Sequence, residues 1–196
     1  MSNEKRLKIK DLVTIGIFTV IYFAVMFASG MIGIIPILYL ANPAIMGITT
    51  GIIMMFFMAK IQKPWAVFII GTICALVVLA MGNTYIVLIH TIISMAIAEL
   101  LRKAGSYNSF KYNMFSFAVF NTWNCGIIMQ IFLAKDRFAE MAVTRGMNQD
   151  FIMGLINMVN YKSILLVYLG AIIGGIAGAC IGKALLKKHF EKVGIV

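Results

Sequence analysis

Apolar residues run through this chain in six blocks, each about long enough to cross a bilayer as a helix, parted by short polar or basic stretches. The blocks are Leu12 to Gly30, Ala41 to Ala59, Trp65 to Met81, Tyr85 to Leu101, Tyr112 to Leu133 and Ile164 to Leu186. They predict an all-α integral membrane protein, one domain over residues 1–196, built as a bundle of six transmembrane helices. One long connection, Ala134 to Tyr161, separates helices five and six. Its apolar residues Phe138, Met141, Phe151, Leu155 and Ile156 are spaced for short amphipathic helices lying on the mouth of the bundle.

Composition agrees, with 62% hydrophobic residues, 12% charged residues and a mean hydropathy of +0.97. The formal charge of +10 reports topology rather than a nucleic-acid partner, because of where the cations fall. With a cytoplasmic N-terminus, the inner side receives Lys5, Arg6, Lys8, Lys10, Lys60, Lys63, Arg102, Lys103, Lys111, Lys183, Lys187, Lys188 and Lys192, thirteen of the seventeen basic residues. Only Lys135, Arg137, Arg145 and Lys162 fall outside. The positive-inside rule therefore places both termini in the cytoplasm and the long loop on the outer side of the cell membrane. The opening basic residues, apolar run and Ala28-Ser29-Gly30 imitate a signal peptide, but the length of the run and the five spans after it favour a first transmembrane helix. Cys74, Cys125 and Cys180 lie within predicted spans and read as small packing residues.

Two helices carry stripes of small residues. Gly16, Val20, Ala24 and Ala28 recur every four residues on helix one, and Gly170, Gly174, Gly178 and Gly182 do so on helix six. Such stripes let helices approach closely where lipid supplies no hydrophobic drive. The helix-one stripe suits packing within the bundle and docking of another subunit equally. Between helices one and two, Pro36 and Pro43 predict either an outer loop folded back on the bundle, with Tyr39 and Asn42 as inward contacts, or a helix entry with Tyr39 as an interfacial anchor. On helix four, Glu99 and Arg102 are spaced to pair at the cytoplasmic end.

Asn121-Thr122-Trp123-Asn124 interrupts an otherwise oily span. In hydrocarbon these amides must face protein, water or a solute, so the cluster is either glue between helices or a binding site. His90 and Asn124 lie at comparable depth from the outer ends of their spans and are placed to line one outward-facing cavity, which tips the reading toward a site. Its candidate residues are Asn121, Asn124 and Gln130 as hydrogen-bond partners, His90 as a switchable donor or acceptor, and Trp123 or Tyr85 as a stacking face. Asn157, Asn160 and Lys162 would be lid contacts. Such a set suits a small, planar, polar solute.

The opening Leu12-Val13-Thr14-Ile15-Gly16-Ile17-Phe18, the Pro36/Pro43 loop and the glycine-rich sixth helix resemble the substrate-binding S components of energy-coupling factor (ECF) transporters, and more narrowly the Trep_Strep group. The resemblance implies an ECF-type ABC importer subunit that captures a vitamin-like or other micronutrient solute in a cavity built from helices four to six and outer loops. It would dock on a membrane-embedded T component driven by two ABC ATPases, through an Ala-xxx-Ala stripe matched here by Ala24 and Ala28, with Gly16 and Val20 at the more cytoplasmic positions. The chain itself has no G-x-x-x-x-G-K-[ST] phosphate loop, so ATP would be spent by a partner.

Other classes remain in view. A stand-alone secondary transporter would show inverted repeats, broken helices or a mid-membrane acid, none of which the sequence displays. An enzyme is not expected: His90 and His189 are far apart, and no acidic pair, metal-ligand spacing or cofactor motif accompanies them. A structural membrane subunit would use the Asn cluster as interhelical glue.

Overall fold

The computed structural model describes residues 6–190, with side chains through Lys187. Lys5 and Lys192, assigned above to the inner side, lie outside the described residues, as do the side chains of Lys188 and His189. Among the described residues the regular elements are all helical: α1 (Ile9–Gly30), α2 (Pro36–Lys60), α3 (Ala66–Ala80), α4 (Tyr85–Ala104), α5 (Phe110–Asn121), a 3-10 turn (Thr122–Asn124), α6 (Cys125–Leu133), α7 (Lys135–Thr144), α8 (Gln149–Met158) and α9 (Tyr161–Phe190). Five helical stretches are long and apolar enough to cross a membrane: Ile9–Gly30, Pro36–Lys60, Tyr85–Ala104, Phe110–Leu133 and Tyr161–Lys187. The expected third span is apolar too, but α3 has only 15 residues, about 22 Å at the α-helical rise.

The most extensive helix contact is between α2 and α9. It is made almost without side chains. A Cβ added to Gly174 would strike the Ala44 carbonyl oxygen, one on Gly178 the Gly47 carbonyl oxygen, and one on Gly51 the Gly178 backbone. The glycine stripe of α9 is thus consumed inside the chain. The stripe of α1 is not: Gly16, Val20, Ala24 and Ala28 are all exposed, and a Cβ on Gly16 would meet nothing within 4 Å. The opposite face of α1 carries Ile15, Phe18, Thr19, Tyr22, Met26 and Ser29, at helical spacing, into the bundle.

Two expectations are corrected here. The stretch around the prolines is helix rather than loop, since α2 starts at Pro36 and runs through Pro43. Pro36 occupies the first turn, where its missing N–H would have no partner, and Ile35 before it is extended as proline requires. Pro43 is tolerated because neighbouring helices hold the backbone around it; its carbonyl accepts a 2.8 Å hydrogen bond from Asn121 Nδ2. Second, Glu99 and Arg102 do not form an ion pair. Arg102 is fully buried, donating from Nη2 to the carbonyls of Ile61 (2.8 Å) and Met58 (3.3 Å) and from Nε to Asn113 Oδ1 (3.2 Å). Glu99 Oε1 accepts from the backbone N–H of Trp65 at 2.6 Å. Each side chain secures the α2–α3 turn separately, so Arg102 is an internal clamp rather than a surface cation.

The turns and tails near Lys60, Lys63, Lys103, Lys111 and Lys183 form a basic end of the bundle. There Lys63 reaches Asp11 at 2.6 Å and ties the start of α1 to the α2–α3 turn. At the far end the long connection folds as anticipated into the two amphipathic helices α7 and α8. Phe138, Ala142, Ile152 and Leu155 from these helices are buried in one cluster with Leu40, Cys125, Ile128, Ile131, Val167 and Ala171. Cys74 and Cys125 are buried packing residues as expected, whereas Cys180 is exposed.

The α2–α9 contact gives the first testable expectation. Gly178→Ala puts a methyl group against backbone, which no rotamer change relieves. The expected loss is about 1–3 kcal/mol, outweighing the roughly 0.8–1 kcal/mol gained in helix propensity. Thermal melting in detergent should fall for Gly178→Ala and hold or rise for Gly16→Ala, whose site is open.

Candidate functional site

The far end of the bundle encloses a cavity of about 360 Å³ between the end of α1, the start of α2, the end of α3 and the α5–α6 junction. That volume is at the small end of the range for ligand pockets. Its walls are mostly apolar: Met26, Phe27, Met31, Pro43, Met46, Val78, Met81, Ile127 and Ile128. The polar groups that reach it are Tyr39, Asn42, Asn83, Asn124 and Arg145.

Each has a local reason for its position. Tyr39 lies one turn into α2, with its ring edge-on to Phe151 of α8 (5.9 Å between centroids, 85° between planes). Asn42 is one turn further on, half-buried, and its amide oxygen is sealed from solvent with no hydrogen-bond partner. Asn83 follows α3 in a turn, and both ends of its amide are engaged: Nδ2 donates to the Val78 carbonyl at 3.0 Å, and Oδ1 accepts from Gln130 Nε2 at 2.8 Å. Asn124 closes the 3-10 turn, its Nδ2 donating to the Asn121 carbonyl at 3.3 Å. Arg145 caps the C-terminus of α7, where Gly146 takes a left-handed φ of 72° and ends the helix. From there its guanidinium reaches over to the Met81 carbonyl.

Of the ten candidate binding residues, two line the cavity, Tyr39 and Asn124. The others are placed elsewhere. Asn121 is fully buried and bridges helices, donating to the Pro43 carbonyl of α2 (2.8 Å) and the Ala171 carbonyl of α9 (2.9 Å). Trp123 is fully buried and donates to the Tyr22 hydroxyl of α1 at 2.9 Å. Gln130 is fully buried too: besides holding Asn83, its Oε1 accepts from the backbone N–H and hydroxyl of Thr84, both at 3.1 Å, which fastens the start of α4. These three are interhelical glue, the alternative that the sequence left open. His90 faces α9 rather than the cavity, with Nε2 2.5 Å from the Tyr168 hydroxyl. Its ring packs where Gly126 leaves space, since a Cβ on that glycine would approach to 3.0 Å.

Tyr85 is 69% exposed at the start of α4 and turned away from the cavity. Asn157, Asn160 and Lys162 are exposed and form no lid. Asn160 instead caps α9, accepting from the backbone N–H groups of Lys162 (3.0 Å) and Ser163 (3.2 Å); Lys162 extends over the Tyr161 ring.

Sequence reasoning named neither Arg145, the charged lining residue, nor Asn83 or the apolar walls among its site candidates. Arg145 was legible as an outer cation, but only the packing of α7 brings it to α3, 64 residues away in the chain.

A polytopic helical membrane protein with a mostly apolar cavity at one end is therefore defined. The chain belongs to the Trep_Strep family, described as hypothetical bacterial integral membrane proteins, whose model matches residues 9–192. No curated protein and no solved structure matches it.

The separation of glue from lining is open to measurement. Asn121→Ala removes two interhelical hydrogen bonds, each worth about 0.6 kcal/mol in comparable membrane bundles, and leaves the cavity walls in place. The expected outcome is a lower melting temperature with any solute affinity unchanged, read by thermal melting and binding on the same preparation.

Proposed function

We propose that the protein is the solute-capturing subunit of an energised importer of the ECF type, with the far-end cavity as its binding site. The carrying observation is the cavity itself: about 360 Å³, mostly apolar walls, and a few convergent polar groups of which Asn42, Asn124 and Arg145 retain free hydrogen-bonding capacity. The bias of basic residues toward the other end supports a cavity that faces outward in the bacterial cell membrane, with both termini inside.

On this reading the solute is a small, vitamin-like micronutrient whose flat apolar body lies among the methionines and isoleucines, edged by the Tyr39 ring. The energised step belongs to partners, a membrane T component and two ABC ATPases, since the chain carries no phosphate loop. The exposed stripe Gly16, Val20, Ala24 and Ala28 supports α1 as the docking face, because the competing glycine stripe of α9 is already filled by α2.

A structural-subunit reading draws on the glue roles of Asn121, Trp123 and Gln130, but it gives the cavity no purpose. A secondary transporter draws on the 3-10 interruption between α5 and α6. One experiment separates the three. The protein, extracted mildly and analysed by native mass spectrometry, is expected to carry a bound small molecule. Asn124→Ala and Tyr39→Leu should each weaken its binding roughly tenfold, about 1.4 kcal/mol. Uptake in cells should require the ATPase partners, and Ala24→Leu should abolish their co-purification while leaving solute binding intact. Uptake without ATPases would instead establish the secondary transporter, and absence of any bound solute the structural subunit.

A further inference from the structure

Two properties of the cavity lining constrain its occupant. First, Arg145 is the one cation among the lining residues, and none of them is acidic. Ion pairs among the described residues join Lys63 to Asp11 and Arg137 to Glu140, so no carboxylate neutralises Arg145. Its contact with the Met81 carbonyl occupies part of a guanidinium that has five N–H donors in a planar fork, a geometry suited to a carboxylate. Second, most of the remaining wall is methionine, isoleucine, valine and phenylalanine, with Tyr39, Asn42, Asn83 and Asn124 as its polar points, which rewards an apolar body and penalises a sugar or a polyamine.

We infer that the solute is an organic acid with an apolar, largely flat body, its carboxylate meeting Arg145 at the mouth of the cavity. This assignment rests on the reading of the cavity as a solute site. It also gives Arg145 a part in specificity: a zwitterion or a cation of the same size would bring a positive group into a lining that has no anion to receive it.

Indole-3-propionate is a suitable probe, since it combines a flat apolar ring and one carboxylate. It is compared with its primary amide, which lacks the charge, by isothermal titration of the purified full chain. The acid is expected to bind at least tenfold more tightly than the amide. Arg145→Gln should erase the preference for acid over amide while Arg145→Lys keeps part of it. Arg145 is exposed at a helix end, so its variants are expected to melt like the parent.

Equal affinity of acid and amide, or binding of neither probe, overturns the assignment. The solute that co-purifies then shows how much falls with it. A neutral or cationic molecule that is lost in Asn124→Ala leaves the cavity as a solute site and removes only the acid; a chain that carries no solute removes both.

Discussion

Two backbones in direct contact set the terms for the rest of this molecule. Where Gly174 and Gly178 of α9 lie against the carbonyls of Ala44 and Gly47, no side chain separates α2 from α9. In a bilayer, where apolar surface gains nothing by leaving lipid, that close approach is itself the attraction. It also brings the carbonyls of Pro43 and Ala171 within reach of one amide, Asn121, which would otherwise have no partner in hydrocarbon. With α2 held in this way, Leu40 packs with Val167 and Ala171 of α9, and Tyr39 and Asn42 line the cavity with the ends of α1 and α3. The cavity is what remains beyond a contact too tight to extend.

The polar side chains of the bundle divide according to this geometry. Those within the packed region spend their hydrogen bonds on neighbouring elements: Arg102 on the end of α2, Glu99 on Trp65, Trp123 on Tyr22 and Gln130 on the α3–α4 turn. Where one of their atoms stays unpaired, as Arg102 Nη1, Glu99 Oε2 and Asn121 Oδ1 do, its residue lies outside the cavity lining. Asn42, Asn124 and Arg145 line the cavity, where the helices part. Burial alone thus fails to distinguish a binding group from a structural one; the distinction lies in whether the residue reaches the cavity.

Much of this was legible in the chain before folding. Apolar blocks of membrane length, the amphipathic spacing in the Ala134–Tyr161 connection and the four-residue glycine repeat each depend on local sequence; five of the six blocks fold as helices long and apolar enough to cross a membrane, the connection as a pair of surface helices and the repeat as a close contact. The misreadings share a different cause. That Asn121 faces α2 and α9 while Asn124 faces the cavity depends on helices 50 and 78 residues away. Arg102 looked like one more inner-side cation because nothing local reveals that Met58 and Ile61 present bare carbonyls to it. Pro36 and Pro43 looked like breakers, yet Pro36 sits in the first turn, where its missing N–H would have no partner, and α2 continues through Pro43 inside the packed bundle.

The 3-10 turn at Thr122–Asn124 carries a consequence for how the two halves of its span are phased. A 3-10 turn advances about 2.0 Å and 120° per residue, an α-helix about 1.5 Å and 100°. Over three residues the difference amounts to about 60° of rotation and about 1.5 Å of length. The face that α6 turns toward its neighbours is therefore offset from the one that α5 would have continued. Gln130 meets Asn83, and Ile127 and Ile128 meet the cavity, at that offset. The pitch of three residues works as a gear between the two half-helices, and relaxing it to a regular α-helix would swing the wall of the cavity without altering a single residue in it.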